Sequence, residues 1–160
     1  MNFSDLLGEA QILSGFEARD KEEVFGKILE SLVASGALPA GMRPAVHQAL
    51  VARENVSSTG MEHGVALPHA RVDGLGRAAV ALAISPSGVP FRASDGRPAR
   101  LIALMAFPRD EIQEANRTLA AVARLLSAEE TRQALIAAGS PAEARRLILD
   151  RERPEKKAGR

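Results

Sequence analysis

The sequence contains no cysteine, no tryptophan and no tyrosine. The lack of cysteine excludes disulfides, thiolate nucleophiles, iron–sulfur clusters and cysteine-based zinc sites. Aromatic residues make up 3% of the chain and all are phenylalanine, so any platform stacking nucleobases or sugars would rest on phenylalanine alone. An excess of one charge is also lacking. Lys+Arg is 21 and Asp+Glu is 20, a formal net charge of +1. Such balance argues against a dedicated nucleic-acid or anionic-membrane binder, which would carry a basic excess. No uninterrupted apolar run approaches the roughly 18 residues of a membrane span. The opening MNFSDLLGEAQILSGFEARDK has neither the basic nor the long apolar region of a secretory signal. The expectation is a soluble cytoplasmic protein without membrane insertion.

What is present points to one folded unit. The chain has 160 residues, 46% of them hydrophobic, and a chain of that size buries roughly two-thirds of its unfolded surface. Asp20 is a candidate N-cap, with Glu22 and Glu23 favouring the positive helix end. Val24, Ile28, Leu29, Leu32 and Val33 follow with helical spacing, and Gly36 is a candidate stop. Pro44 suits the first turn of a second helix running to about Glu54. Residues 55–64 (NVSSTGMEHG) read as a loop. Three strand-like runs follow: Gly64 to Leu67, Ala78 to Ser85, and Leu101 to Phe107 before Pro108. A short extended piece is expected at Val89 to Arg92, between turn-forming SPSG and ASDGRP. The last third reads as helices over 112–127, 129–138 and 141–149. Helices on either side of a strand-rich middle predict a single α/β domain over residues 1–150 with a mixed sheet. The charged tail 151–160 (RERPEKKAGR) is expected to fray.

Three histidines carry the candidate chemistry: His47, His63 and His69. His47 falls inside the second predicted helix and reads as structural or surface. His69 follows a strand-like run and a proline in GVALPHAR. Pro68 sets its own φ and pushes Leu67 into extended backbone, so the ring leaves a strand end on a fixed frame. Position alone leaves both a functional and a structural role open. Metal binding is disfavoured, because His63 and His69 lack a shared helical face and only scattered carboxylates could complete a set. No GxSxG elbow supports a serine hydrolase built on Ser57 or Ser58. SSTGMEHG lacks the G-K-[ST] ending of a phosphate loop. A lone nucleophilic imidazole with a guanidinium nearby suits reversible phosphoryl transfer, which works by alignment and charge neutralisation. Arg53 is the candidate cation, and an exposed helix-end role is its competing explanation.

Several pieces occur in a consistent order: Arg53-Glu54, then Ser58-Thr59-Gly60, then Gly64-Val65-Ala66-Leu67-Pro68-His69. Weaker pieces are Lys21-Glu22, Phe91, Asp95-Gly96, Pro98 and Leu101 to Phe107. Together they resemble the IIA component of the phosphoenolpyruvate-dependent phosphotransferase system, fructose/mannitol type, most of all its stand-alone nitrogen-regulatory branch. The resemblance spans Phe3 to Leu149. It implies a mixed five-stranded sheet flanked by helices. It also implies that His69 accepts a phosphoryl group on Nε2 from an HPr-like phosphocarrier protein, with no cofactor and no metal. Arg53 would hold phosphate, and Thr59 and Gly60 would shape the loop beside it as phosphate-binding positions. A IIB component, or a regulated kinase or transporter, would be the next partner. Two departures stand out. Ala115 occupies the position where many relatives carry a second histidine, and Glu62-His63 replaces a different loop pair. His63 is therefore a candidate auxiliary group. The competing expectation is a regulatory binding module with little onward transfer.

Overall fold

The computed structural model describes residues 2–153. The elements are α1 (Phe3–Leu6), β1 (Ile12–Leu13), α2 (Lys21–Ala34), α3 (Arg43–Val56), β2 (Gly60–Met61), β3 (Val65–Ala66), β4 (His69–Val72), β5 (Ala79–Val89), β6 (Ala99–Pro108), α4 (Ile112–Ser127), α5 (Glu129–Ala137) and α6 (Pro141–Glu152). They form one α/β unit around a mixed six-stranded sheet. β5 and β6 are antiparallel at its centre. β1 joins β5 in parallel, β3 and β4 both join β6 in parallel, and β2 adds antiparallel to β3.

Alternation along β5 and β6 builds the two cores. Ala79, Ala81 and Ala83 of β5, with Ile102, Leu104 and Ala106 of β6, pack under α2 and α3. Val80, Leu82 and Ile84, with Leu101, Ala103, Met105 and Phe107, pack against α1 and α4 to α6. Each strand is buried on both faces, so its sequence reads as a continuous apolar run. Along β5, alanines face α2 and α3 and the larger Val80, Leu82 and Ile84 face α4 to α6.

Local sequence accounts for the helix ends. Asp20 accepts a hydrogen bond from Glu23 N at 2.9 Å, as an N-cap should. At the other end of α2, Gly36 adopts φ +78°. Gly36 N donates to Val33 O and Ala37 N to Leu32 O, at 3.1 and 3.0 Å, which satisfies two terminal carbonyls of the helix. Ser140 caps α6 in the same way as Asp20 caps α2.

The structure corrects three expectations. Six strands occur where the resemblance implies five, because Leu67-Pro68 divides one extended segment into β3 and β4. Pro68 has no N–H, yet its carbonyl still accepts from Met105 N at 2.9 Å, so the segment continues along β6. The extended piece expected at Val89 to Arg92 is not separate. β5 continues to Val89, which pairs with Ala99 across an irregularity in register after Ile84. The last helix is longer than expected. α6 runs on to Glu152, whose carboxylate accepts from Ser4 N and Ser4 Oγ at 3.0 and 2.9 Å and ties the two ends of the chain together. Residues 154–160, the rest of the expected tail, lie outside the described residues.

One core position carries a stability prediction. Thr118 on α4 is fully buried, and its hydroxyl has no hydrogen-bond partner among the described residues. Thr118→Val removes that unpaired group at nearly constant shape, with an expected gain of about 1 kcal/mol. Thermal unfolding should show a midpoint rise of roughly 2–4 °C; a lower midpoint would mean that the hydroxyl has a partner.

Candidate functional site

The break between β3 and β4 places His69 opposite Met105 in β6, within the sheet and not beyond a strand terminus. β4 alternates His69 and Arg71 with the buried Ala70 and Val72. Only β6 pairs with β4 among the described residues, so the other edge of β4 is open. α3 and α4 flank this edge and leave a cavity of about 430 Å³ between them. Ala49, Ala52 and Arg53 come from α3, His69 to Arg71 from β4, Phe107 and Arg109 from the end of β6, and Ala115, Asn116 and Leu119 from α4. Alanines on three of the walls leave room for a ligand.

The half-buried His69 ring has a defined orientation. Its Nδ1 lies 2.7 Å from Leu67 O. A carbonyl oxygen only accepts, so Nδ1 carries a proton, and in the neutral ring the lone pair is on Nε2. The hydrogen bond thus produces the tautomer a nucleophile at Nε2 needs. Three guanidinium groups, Arg53, Arg71 and Arg109, line the same cavity, and no carboxylate does. Arg53 donates through Nη1 to Ser57 O at 3.1 Å, just past the end of α3. It therefore caps a helix end and borders the cavity at once. Arg109 Nε is 2.7 Å from Asp73, which holds the guanidinium beside β4. Guanidinium groups around an imidazole nucleophile suit a dianionic tetrahedral group.

The sequence-predicted residues separate into those that meet and those that do not. His69 and Arg53 share the cavity, and Ala115 forms part of its α4 wall. Thr59 and Gly60 do not line it. Thr59 is 6% exposed; its N–H and hydroxyl donate to the two oxygens of Glu54 at 2.9 and 2.6 Å. Thr59 O in turn accepts from Leu67 N at 3.1 Å, the residue that orients His69. A side chain at Gly60 would meet Phe91, with a Cβ placed 2.9 Å from its carbonyl oxygen and 3.0 Å from its Cβ. His63 lines a different cavity from His69. Its φ is +66°, and its N–H donates to Asp95 at 2.8 Å. His47 borders a third cavity, on α3. Among the described residues, no group of His, Asp and Glu side chains is arranged to hold a metal ion.

Sequence reasoning passed over Arg109 and Asn116 in the cavity wall. Arg109 had a usable signal, since it directly follows Pro108 at the end of a buried strand. The Lys21–Glu54–Thr59 cluster was also missed. Lys21 Nζ is 2.6 Å from Glu54 and 5.3 Å from the Phe91 ring centroid, so α2, α3, the residue before β2 and the segment after β5 are tied at one point. Burial pushes the Glu54 carboxyl up. The hydrogen bonds from Lys21 and Thr59 outweigh this and hold it below the usual carboxylate range.

Known proteins share this architecture. Residues 5–151 match the family model of the phosphoenolpyruvate-dependent sugar phosphotransferase system, EIIA 2. A fructose-specific EIIABC component from Bacillus subtilis is 32% identical over 140 residues, 88% of this chain and 22% of that much longer protein. The nitrogen regulatory protein IIA-Ntr from Neisseria meningitidis superposes with a TM-score of 0.81 at 29% identity, covering 91% of this chain and 97% of that one. Mannitol enzyme IIA from Escherichia coli, solved in complex with phosphorylated mannitol enzyme IIB, has the same fold, with a TM-score of 0.75 at 24% identity over 91% of this chain and 99% of that one. By family model, sequence and fold together, the chain belongs to the EIIA type 2 family of the phosphoenolpyruvate-dependent sugar phosphotransferase system.

Proposed function

We propose that the protein is a phosphohistidine carrier, in which His69 Nε2 accepts a phosphoryl group from a phosphorylated histidine on an HPr-like donor. The observation that carries this reading is the Nδ1–H bond to Leu67 O beside a cavity lined by three guanidinium groups. The Nε2 lone pair attacks phosphorus in line, and the donor's N–P bond breaks. The donor ring departs as neutral imidazole, and His69 becomes an N-phosphorylated imidazolium whose Nδ1–H stays bonded to Leu67 O. Three phosphoryl oxygens bear the developing charge of a loose transition state. Arg53 contributes the opposing charge from α3, with Arg71 and Arg109 on the other walls. Thr59 and Gly60 act indirectly, by fixing the loop that carries Leu67. Such a carrier works in the cytoplasm, and no helix of the described residues is long and apolar enough to cross a membrane.

The next partner is a IIB component or a regulated protein. Solved structures of both kinds support this choice: a nitrogen regulatory IIA, and a mannitol IIA bound to phosphorylated IIB. Ala115 favours the regulatory branch. Beside Asn116 and Leu119, it offers the cavity a methyl group at the position where the resemblance implies a second imidazole.

Incubation with phosphoenolpyruvate, enzyme I and a histidine phosphocarrier, read by intact mass, tests the proposal. The expected product carries one acid-labile phosphoryl group. No gain with either a sugar-branch or a nitrogen-branch carrier would refute phosphate acceptance. In the same assay, Arg53→Ala is expected to slow labelling about 100-fold with the fold intact, the scale of one transition-state donor. An unchanged rate would return Arg53 to its helix-capping role alone.

A further inference from the structure

A second cleft, of about 450 Å³, lies at the opposite end of β6 from His69. The turn at Glu62–Gly64, the segment from Arg97 to Arg100 and the first turns of α5 form its walls. Three guanidinium groups, Arg97, Arg100 and Arg132, line it beside His63, against one carboxylate, Glu129. In a chain whose net charge is +1, this is a local concentration of positive charge.

Two of these guanidinium groups are pinned but not neutralised. Arg100 Nε donates to Pro86 O at 3.0 Å. Arg132 Nη1 donates to Leu126 O and Ser127 O at 3.0 and 2.7 Å, the open carbonyls at the end of α4. Carbonyl anchors fix each head and leave its charge and remaining N–H donors in place. Neither group has a salt-bridge partner among the described residues. Arg97 stands 4.0 Å from Asp95, whose oxygens are already engaged by the N–H groups of His63 and Arg97. Glu129 is held by Gln133 at 3.2 Å. Pinned, uncompensated guanidinium groups in one cleft repel one another. They are also pre-organised for the forked geometry of a phosphate. The N-terminal end of α5 adds partial positive charge of the same sign.

We propose that this cleft binds a small anion bearing a diphosphate or comparable phosphate group, held by Arg97, Arg100 and Arg132. The volume is at the small end of the range for ligand sites. None of its lining residues borders the His69 cavity, so the site is separate from the proposed transfer chemistry and stands whether or not that chemistry does. β6 joins the two, since Arg100 lies near its start and Met105 pairs with His69.

Titration of the isotopically labelled full chain with sodium pyrophosphate, followed by amide NMR shifts, separates this site from His69. Saturable shifts are expected at Gly64, Arg97, Arg100 and Gln133, and none with sodium chloride at matched ionic strength. Shifts confined to Ala70, Arg71 and Asn116, or equal shifts with sodium chloride, overturn the proposal. Combined Arg97→Gln and Arg100→Gln should weaken the saturable binding at least about tenfold, as expected for lost charged hydrogen bonds. Because Arg100 also anchors the irregular part of β5, Arg97→Gln alone is the second variant. Its side chain has no backbone acceptor among the described residues, so the fold is retained and binding should weaken several-fold. Unchanged affinity in that variant also overturns the proposal.

Discussion

A His69→Ala protein is expected to fold and to take up no phosphoryl group from a phosphorylated histidine carrier. Among the described residues the ring makes one hydrogen bond, 2.7 Å long, to a carbonyl two residues back, so its loss costs about 1 kcal/mol. The pairing of β4 with β6 is made by backbone and survives the change. The nucleophile has no substitute in the cavity, because His47 and His63 border other cavities. The expected fall in labelling rate is at least about 1,000-fold, as for removal of a covalent nucleophile. Time-resolved intact mass on the variant, with its amide NMR spectrum as the control for folding, measures this. Labelling at the normal rate would place the acceptor on another residue and leave the Leu67–His69 hydrogen bond as a purely structural contact.

The fold was legible where local rules act alone. Asp20, Gly36 and Ser140 mark helix ends through hydrogen bonds made within a few residues, and Pro44 marks one through its fixed φ. β5 and β6 were visible as apolar runs because both faces are covered. β4 was not read as a strand, although His69-Ala70-Arg71-Val72 alternates correctly. Four residues opened by a proline give too short a period, and only pairing with β6 makes them a strand. The same limit applied to the site. His69 and Arg53 meet across an open sheet edge between α3 and α4, and no sequence period encodes that meeting. The family resemblance supplied it. Thr59 shows the opposite failure. A hydroxyl in a polar loop reads as free to bind a ligand, yet its partner is Glu54, five residues earlier, brought near by the end of α3. The resemblance placed these residues at the site; only the packing distinguishes direct contact from support.

That support gives Glu54 a large expected effect on stability. Its side chain is 6% exposed and accepts from Lys21 Nζ at 2.6 Å, Thr59 N at 2.9 Å and Thr59 Oγ1 at 2.6 Å. Glu54→Ala strands the Lys21 charge and two donors of a buried threonine, with an expected cost of about 3 kcal/mol. For a chain of this size that corresponds to a midpoint roughly 6–12 °C lower. Phosphoryl uptake should slow as well. Arg53 precedes Glu54 on α3, and Thr59 O holds the Leu67 N–H beside His69. Acid provides an independent check. The folded carboxyl sits below its unfolded value, so its contribution is complete above the ordinary carboxylate range and disappears as pH falls through the lowered folded value. Glu54→Gln keeps one acceptor oxygen and cannot titrate. The stability gap between the natural protein and Glu54→Gln should therefore be widest near neutral pH and close in acid. A gap that stays constant with pH would mean that the Glu54 charge does not hold Lys21, and that the cluster works through shape and neutral hydrogen bonds alone.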